Sequence, residues 1–394
     1  MTGQHLDGEH DLPATFSSAM PLVRPRSRRR RAIWVVVASA LILIVGAGIH
    51  AAANLHYDDS LVAFQDAGTV AENRRTALAS DADELDTAAD AAAGIAAADS
   101  GTLMTVEVRQ ALDATIAEIE TTASDADAAT AASFPDAGVK PTWTWELFAE
   151  SARLADEKAA LQERTDRLES LSQDVTDARE SVEETAIAAA QAAAAAAADL
   201  EAAHVNARNP EIIAMRTAAA VVAGIAELDD EATVRYTELE SAAAAMLESE
   251  RAELAEKAGP LYDSRVEIEA FARSLAPDVL LDFDWAPTVP GYDGPSHGGW
   301  TTWWYGDPGY STIALSDYIA DSWPAEWAKA LVAHEVGHAI SVKCEALYDA
   351  SDQDTIEAWA TAWAISMGFN DPANGTDVYG APPRSLIDAA AGCR

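Results

Sequence analysis

The chain has 394 residues, 65 of them Asp or Glu against 26 Lys or Arg, for a formal net charge of −39. A charge of that sign excludes nucleic acid as a partner, because phosphate binding needs a basic surface, and it steers anionic membranes and acidic peptides away. The length accommodates two or three domains.

The charge is unevenly spread. Residues 1–31 carry six Arg (Arg24, Arg26 and Arg28 to Arg31) against Asp7, Glu9 and Asp11, a net of +3 that leaves −42 for the rest. Their Gly, Pro, Ser and His show no periodicity and read as a disordered basic tail. Ala32 to Ile49 is then an uncharged apolar run of 18 residues, enough to span a bilayer. With Arg on one side and none until Arg74 on the other, the positive-inside rule puts residues 1–31 in the cytoplasm, 32–50 across the membrane and the remainder outside. A cleaved signal peptide ending near Ala51 to Ala53 is the competing reading. The run exceeds the roughly 7 to 15 apolar residues of a signal sequence, which favours an uncleaved anchor.

Residues 51–275 are dominated by Ala, Glu, Asp and Thr, a helix-forming composition. Gly101, Pro135, Pro141, Pro210 and Pro260 predict breaks, giving four or five long helices. Leu147, Leu154, Leu161, Leu168, Val175 and Val182 recur every seven residues, as in a coiled-coil seam through which helices self-associate. The second seam position holds Glu150, Glu157, Arg164, Leu171 and Ala178, so one position per heptad is firmly apolar. This region reads as an extracytoplasmic stalk. Trp143, Trp145 and Phe148 cluster after the Phe134-Pro135 break, either packed within a helical hairpin or forming a docking point.

Composition shifts near Ala276, where Pro, Gly and Trp become frequent. Trp300 to Tyr305, Gly306-Asp307-Pro308-Gly309 and Tyr310 to Leu315 read as a β-hairpin. Trp300, Trp303 and Trp304 serve either as core or as subsites, and His297 reads as a loop residue. Helical periodicity resumes at Ala325 and carries His334, Glu335 and His338 in the pattern HExxH. Residues four apart share a helix face, so both His can ligate one Zn²⁺ while Glu335 reaches its water. Leu331, Val332, Ala333, Val336, Ala339 and Ile340 flank the motif and predict burial, where three polar groups need partners. Gly337 inside this helix predicts close approach of another backbone. Two solvated His on a surface helix are the bland alternative.

A third ligand is required, and Glu357 opens a second apolar helical run after 18 intervening residues. Asp349, Asp352 and Asp354 between the runs read as turn formers and helix caps. HExxH, 18 residues, then Glu resembles the gluzincin group of zinc metallopeptidases over about the last 120 residues. A metzincin would carry Gly and His where Ser341 and Cys344 stand. The resemblance implies His334, His338 and Glu357 as ligands, Glu335 as general base, and an edge strand that pairs with an extended peptide substrate. It departs from the group in two places. No His follows His338 to assist the oxyanion, which leaves Tyr379, or else Tyr348 or Tyr310, for that role. Thr361 stands one turn after Glu357, where a carboxylate usually orients a ligand His.

Cys344 and Cys393 both fall outside the membrane in this topology, where a disulfide persists. The expected protein is therefore mainly α: a transmembrane helix, a long Ala-rich helical and coiled-coil region, and an α+β minimal zincin-like domain over 276–394. Its expected function is peptide-bond hydrolysis with Zn²⁺; the rival is a zinc-binding envelope scaffold without turnover.

Overall fold

The computed structural model describes residues 27–289, 298–306 and 309–394. The basic tail before residue 27, His297 and the Asp307-Pro308 turn lie outside the described residues. The chain is mainly helical, with one small mixed sheet.

Helix α1 (Ser27–Ala98) runs for 72 residues. It includes an 18-residue window of mean hydropathy 2.6, and Ala32 to Ile49 are exposed throughout. Length and composition suit a membrane span, and a signal sequence passes the same test. No break follows residue 50. Ala51 to Ala53 are good helix formers with no Pro or Gly beside them, so the helix continues into the region expected to begin separately. After α1 come α2 (Val106–Ala131), α3 (Thr144–Ala203), α4 (Asn209–Ala223), α5 (Asp230–Glu256) and α6 (Tyr262–Leu275). Residues 51–275 thus hold six helical stretches rather than four or five. The additional break follows Val222 and Ala223, where Gly224 ends α4 and Asp229 caps α5 by accepting from the Ala232 N–H.

The residues divide into two units. One comprises the chain up to Arg74 with Ser133–Arg167. Its core is Ala53, Tyr57, Phe64 and Ala71 of α1 with Leu147, Leu154 and Leu161 of α3. The expected leucine seam is therefore buried within the chain itself rather than offered to a second copy. Tyr57, Phe64 and Ala71 also recur every seven residues, a matching period in α1 that mixed residue types conceal in the sequence. Trp143 and Trp145 stack on each other and are exposed, while Phe148, less exposed, meets the His56 ring of α1 at 6.3 Å, so packing against α1 accounts for Phe148 alone.

The other unit comprises Arg75–Ala132 with Leu168–Arg394. Here the same spacing continues through buried Leu78, Leu85 and Ala92 of α1, Leu112, Ile119 and Ala126 of α2, and Leu168, Val175 and Val182 of α3. Beyond α6 follow β1 (Leu280–Ala286), β2 (Gly299–Trp304), β3 (Tyr310–Ser316) and α7 (Asp317–Ser322). Then come α8 (Glu326–Ala339), α9 (Gln353–Ser366), α10 (Thr376–Tyr379) and α11 (Arg384–Ala390). The strand order is β1-β3-β2, with β1 parallel and β2 antiparallel to β3, so the expected hairpin forms and β2 is an edge.

The core beneath this sheet is built from Phe283, Ile313 and Leu315, Val332 and Val336 of α8, and Trp359 and Trp363 of α9. It also takes in Ile268 and Ala272 of α6. The packed core therefore reaches back past the composition change at 276. Polar contacts bind the preceding helices to it. Asn209 donates its backbone N–H to Asp282 Oδ1 (2.8 Å) and its side-chain amide to the Ser311 carbonyl (3.0 Å). Buried Glu269 accepts from Lys257 Nζ (2.7 Å) and Trp285 Nε1 (2.9 Å), so its charge is paired as burial demands. Cys344 and Cys393 form the expected disulfide and tie the chain's end to the segment after α8.

Candidate metal centre

Helix α8 buries every residue from Val332 to Ala339. Apolar side chains fill most of that surface, and His334, Glu335 and His338 are the polar exceptions. Helix α9 packs against it. Trp359 Nε1 donates to the Gly337 carbonyl (3.1 Å), and a Cβ on Gly337 would lie 2.7 Å from the Ala360 carbonyl oxygen. The glycine read from the sequence as a close-approach position is what lets the two backbones touch.

That contact brings Glu357, in the second turn of α9, against both His. Asp352 caps the helix by accepting from the Asp354 N–H (3.0 Å), as expected of the Asp residues in this turn. Glu357 Oε2 lies 3.2 Å from His334 Nε2 and 3.3 Å from His338 Nε2, and the two imidazole nitrogens are 3.1 Å apart. Zinc–nitrogen bonds of about 2.0–2.1 Å in a tetrahedral site set neighbouring donors about 3.3 Å apart, so this triangle has the size zinc requires.

Hydrogen bonding also fixes which atoms converge. His334 Nδ1 faces the Asn374 carbonyl at 2.9 Å, with Thr361 Oγ1 at 3.4 Å. A carbonyl only accepts, so Nδ1 donates to it and Nε2 is the nitrogen turned toward Glu357. Gln353 Nε2 donates to Glu357 Oε1 (2.8 Å), which leaves Oε2 to face the imidazoles. Burial alone would push the Glu357 carboxyl up, yet contact with His334 and His338 holds it well below the usual carboxylate range. Two imidazoles and a carboxylate meeting inside a protein are satisfied either by shared protons or by a cation between them. The donor set of two imidazoles and one carboxylate fits zinc.

Glu335 is buried beside this triangle without joining it. Thr301 on β2 donates its hydroxyl to Glu335 Oε2 (2.7 Å), so the edge strand holds the carboxylate in place. Trp303, on the same face of β2, stacks on the His338 ring at 5.7 Å and 6°. Trp300 and Trp304 alternate to the other face and are exposed. Of the three Trp, only Trp303 thus packs against the centre.

Among the candidate tyrosines, Tyr379 is half exposed and stacks on the His334 ring at 5.9 Å and 8°. Tyr348 instead packs on Trp359, its hydroxyl 2.6 Å from that of Tyr305, and Tyr310 stacks on Trp304. Sequence reasoning missed Asn374, Gln353 and Thr301. Asn374 acts through its backbone carbonyl, which no side-chain motif reports. Its placement depends on Gly375, whose φ of +103° suits glycine and whose Cβ would strike Thr361 and His334. Gln353 stands four residues before Glu357 on one helix face, a spacing the sequence does show. His338 Nδ1 is buried without a protein partner among the described residues. No family model, curated protein or solved structure matches this chain, so the site is known from its own geometry.

Proposed function

We propose that the chain is a membrane-anchored, extracytoplasmic zinc metallopeptidase of gluzincin type. The convergence of His334 Nε2, His338 Nε2 and Glu357 Oε2 to within 3.3 Å of one another carries the reading. The apolar run of α1 supplies the anchor, with the basic amino terminus in the cytoplasm.

His334, His338 and Glu357 would hold zinc, which would supply Lewis acidity and lower the pKa of a water molecule to about 7. Glu335, oriented by the Thr301 hydroxyl, takes the proton of the attacking water and passes it to the leaving amine. An extended peptide pairs with the outer edge of β2 through backbone hydrogen bonds, leaving Trp300 and Trp304 to meet its side chains. Tyr379 is the residue proposed to donate a hydrogen bond to the carbonyl oxygen as negative charge develops.

The test is cleavage of an unstructured peptide mixture by the full chain loaded with zinc, beside Glu335→Gln. Cleavage by the wild type, lost in the variant while zinc is retained, supports the enzyme. Zinc binding without cleavage by either protein supports the scaffold reading, which the Thr361 departure favours.

A further inference from the structure

The exposed aromatic residues at the start of α3 lie where the apolar run of α1 ends. His50, the first residue after Ile49, has its Nδ1 2.9 Å from Thr144 Oγ1, in the opening turn of α3. The segment before α3 descends along α1 toward the same point: Lys140 Nζ pairs with Asp58 (2.5 Å), and Thr144 then meets His50. Farther up α3, Arg164 donates to the Ser133 carbonyl and Arg153 to the Ala137 carbonyl, so the segment is held along its length. Residues 143–145 are thus set beside the carboxyl end of the apolar run.

At that point Trp143 and Trp145 stack on each other at 5.2 Å, yet they are 58% and 65% exposed. Phe148 is 45% exposed and Val139 92%. The aromatic residues farther along α1 in the same unit, Tyr57 and Phe64, are buried. Among the aromatic residues of this unit beyond the apolar run, the largest exposure is at Trp143 and Trp145, while aliphatic Val62 and Val70 farther along α1 are exposed as well. An indole pairs a large apolar body with one N–H donor and settles at the boundary between hydrocarbon and water. An apolar run of 18 residues rises about 27 Å as a helix, close to the thickness of the hydrocarbon layer, so its end coincides with that boundary.

We propose that Trp143 and Trp145, with Phe148, form a second membrane contact that seats the start of α3 in the headgroup layer beside the α1 span. The contact rests on the reading of α1 as an uncleaved anchor. It fixes the bundle's base to the outer leaflet at two points rather than one. Glu146 in the same turn suits a zwitterionic surface better than an anionic one.

The test reconstitutes the full chain in phosphatidylcholine nanodiscs containing a phospholipid with a photoactivatable group at headgroup depth, and maps labelled residues by mass spectrometry. Labelling is expected at 48–52 and at 143–148. In Trp143→Ser/Trp145→Ser, labelling of Phe148 should fall about tenfold while that of 48–52 persists. Labelling of 48–52 alone in the wild type, or unchanged labelling of Phe148 in the variant, overturns the second contact and leaves the anchor standing. Labelling of neither segment overturns the anchor reading and the contact with it.

Discussion

Where α1 and α3 belong to the first unit, buried apolar side chains recur every seven residues, at Tyr57, Phe64 and Ala71 and at Leu147, Leu154 and Leu161, and the positions between them, buried Ser151 excepted, face solvent or remain partly covered. In α8, by contrast, burial runs unbroken from Val332 to Ala339. A helix covered on one side announces itself by periodicity; a helix covered on all sides has none to show. What stands out there is the set of polar residues that burial should forbid, and those residues are the site. The helical region thus reports its packing, and the C-terminal core reports its chemistry.

The comparison predicts that mutations in the two regions fail in different ways. The largest expected effect is on catalysis. Glu335→Gln should lower peptide hydrolysis about 10²- to 10⁴-fold, as loss of a general base does, without changing zinc content or thermal stability. Next comes Trp359→Ala in the densely packed core. It should cost about 3–5 kcal/mol and release zinc, because the same ring holds α9 against Gly337. Leu154→Ala in the seam should cost about 2–5 kcal/mol by circular dichroism melting, yet leave zinc content intact. Loss of zinc in Leu154→Ala would break the distinction.

Two smaller effects sharpen it. Reducing the Cys344–Cys393 disulfide should destabilise the C-terminal core by about 2–4 kcal/mol in thermal melts. Asp282 gives a pH signature. Burial pushes its carboxyl up to about 7, against partial relief from the Asn209 N–H and Arg208, and from an ordinary value of 3.8. A raised carboxyl pKa means that the folded state holds a proton the unfolded chain has released, so this group's contribution falls as pH rises from about 3.8 to about 7. Asp282→Asn should therefore gain on the wild type across that window, by about 4 kcal/mol at most, and hold a constant difference above it. Melting temperatures at several pH values check this; a difference that does not change with pH contradicts it.

Much of this arrangement was legible in the residues. Breaks at Gly101 and the prolines, the hairpin, the seam, the disulfide and the Gly337 contact all follow from local chemistry. The α1 period escaped notice because Tyr, Phe, Leu and Ala alternate in it, and a seam is easily read only when one residue type repeats. Beyond the extra helix break at Gly224, two expectations changed for a physical reason. The leucine seam packs on the chain's own α1, and α6 contributes Ile268 and Ala272 to a core that composition alone starts at 276. Composition marks where loops become frequent; it does not mark which helix face a core will cover. At the centre, His334, Glu335, His338 and Glu357 were readable from spacing. The Asn374 carbonyl was not, since it belongs to a backbone turned by Gly375 some forty residues away from His334.

The central claim is that two imidazoles and one carboxylate form a three-ligand zinc site. Elemental analysis of the purified full chain, beside His338→Ala and Glu357→Ala, tests it most directly. The account predicts about one tightly held zinc per wild-type chain and loss of zinc in both variants while each stays folded by circular dichroism. A folded wild type that takes up no zinc when the metal is supplied would contradict it.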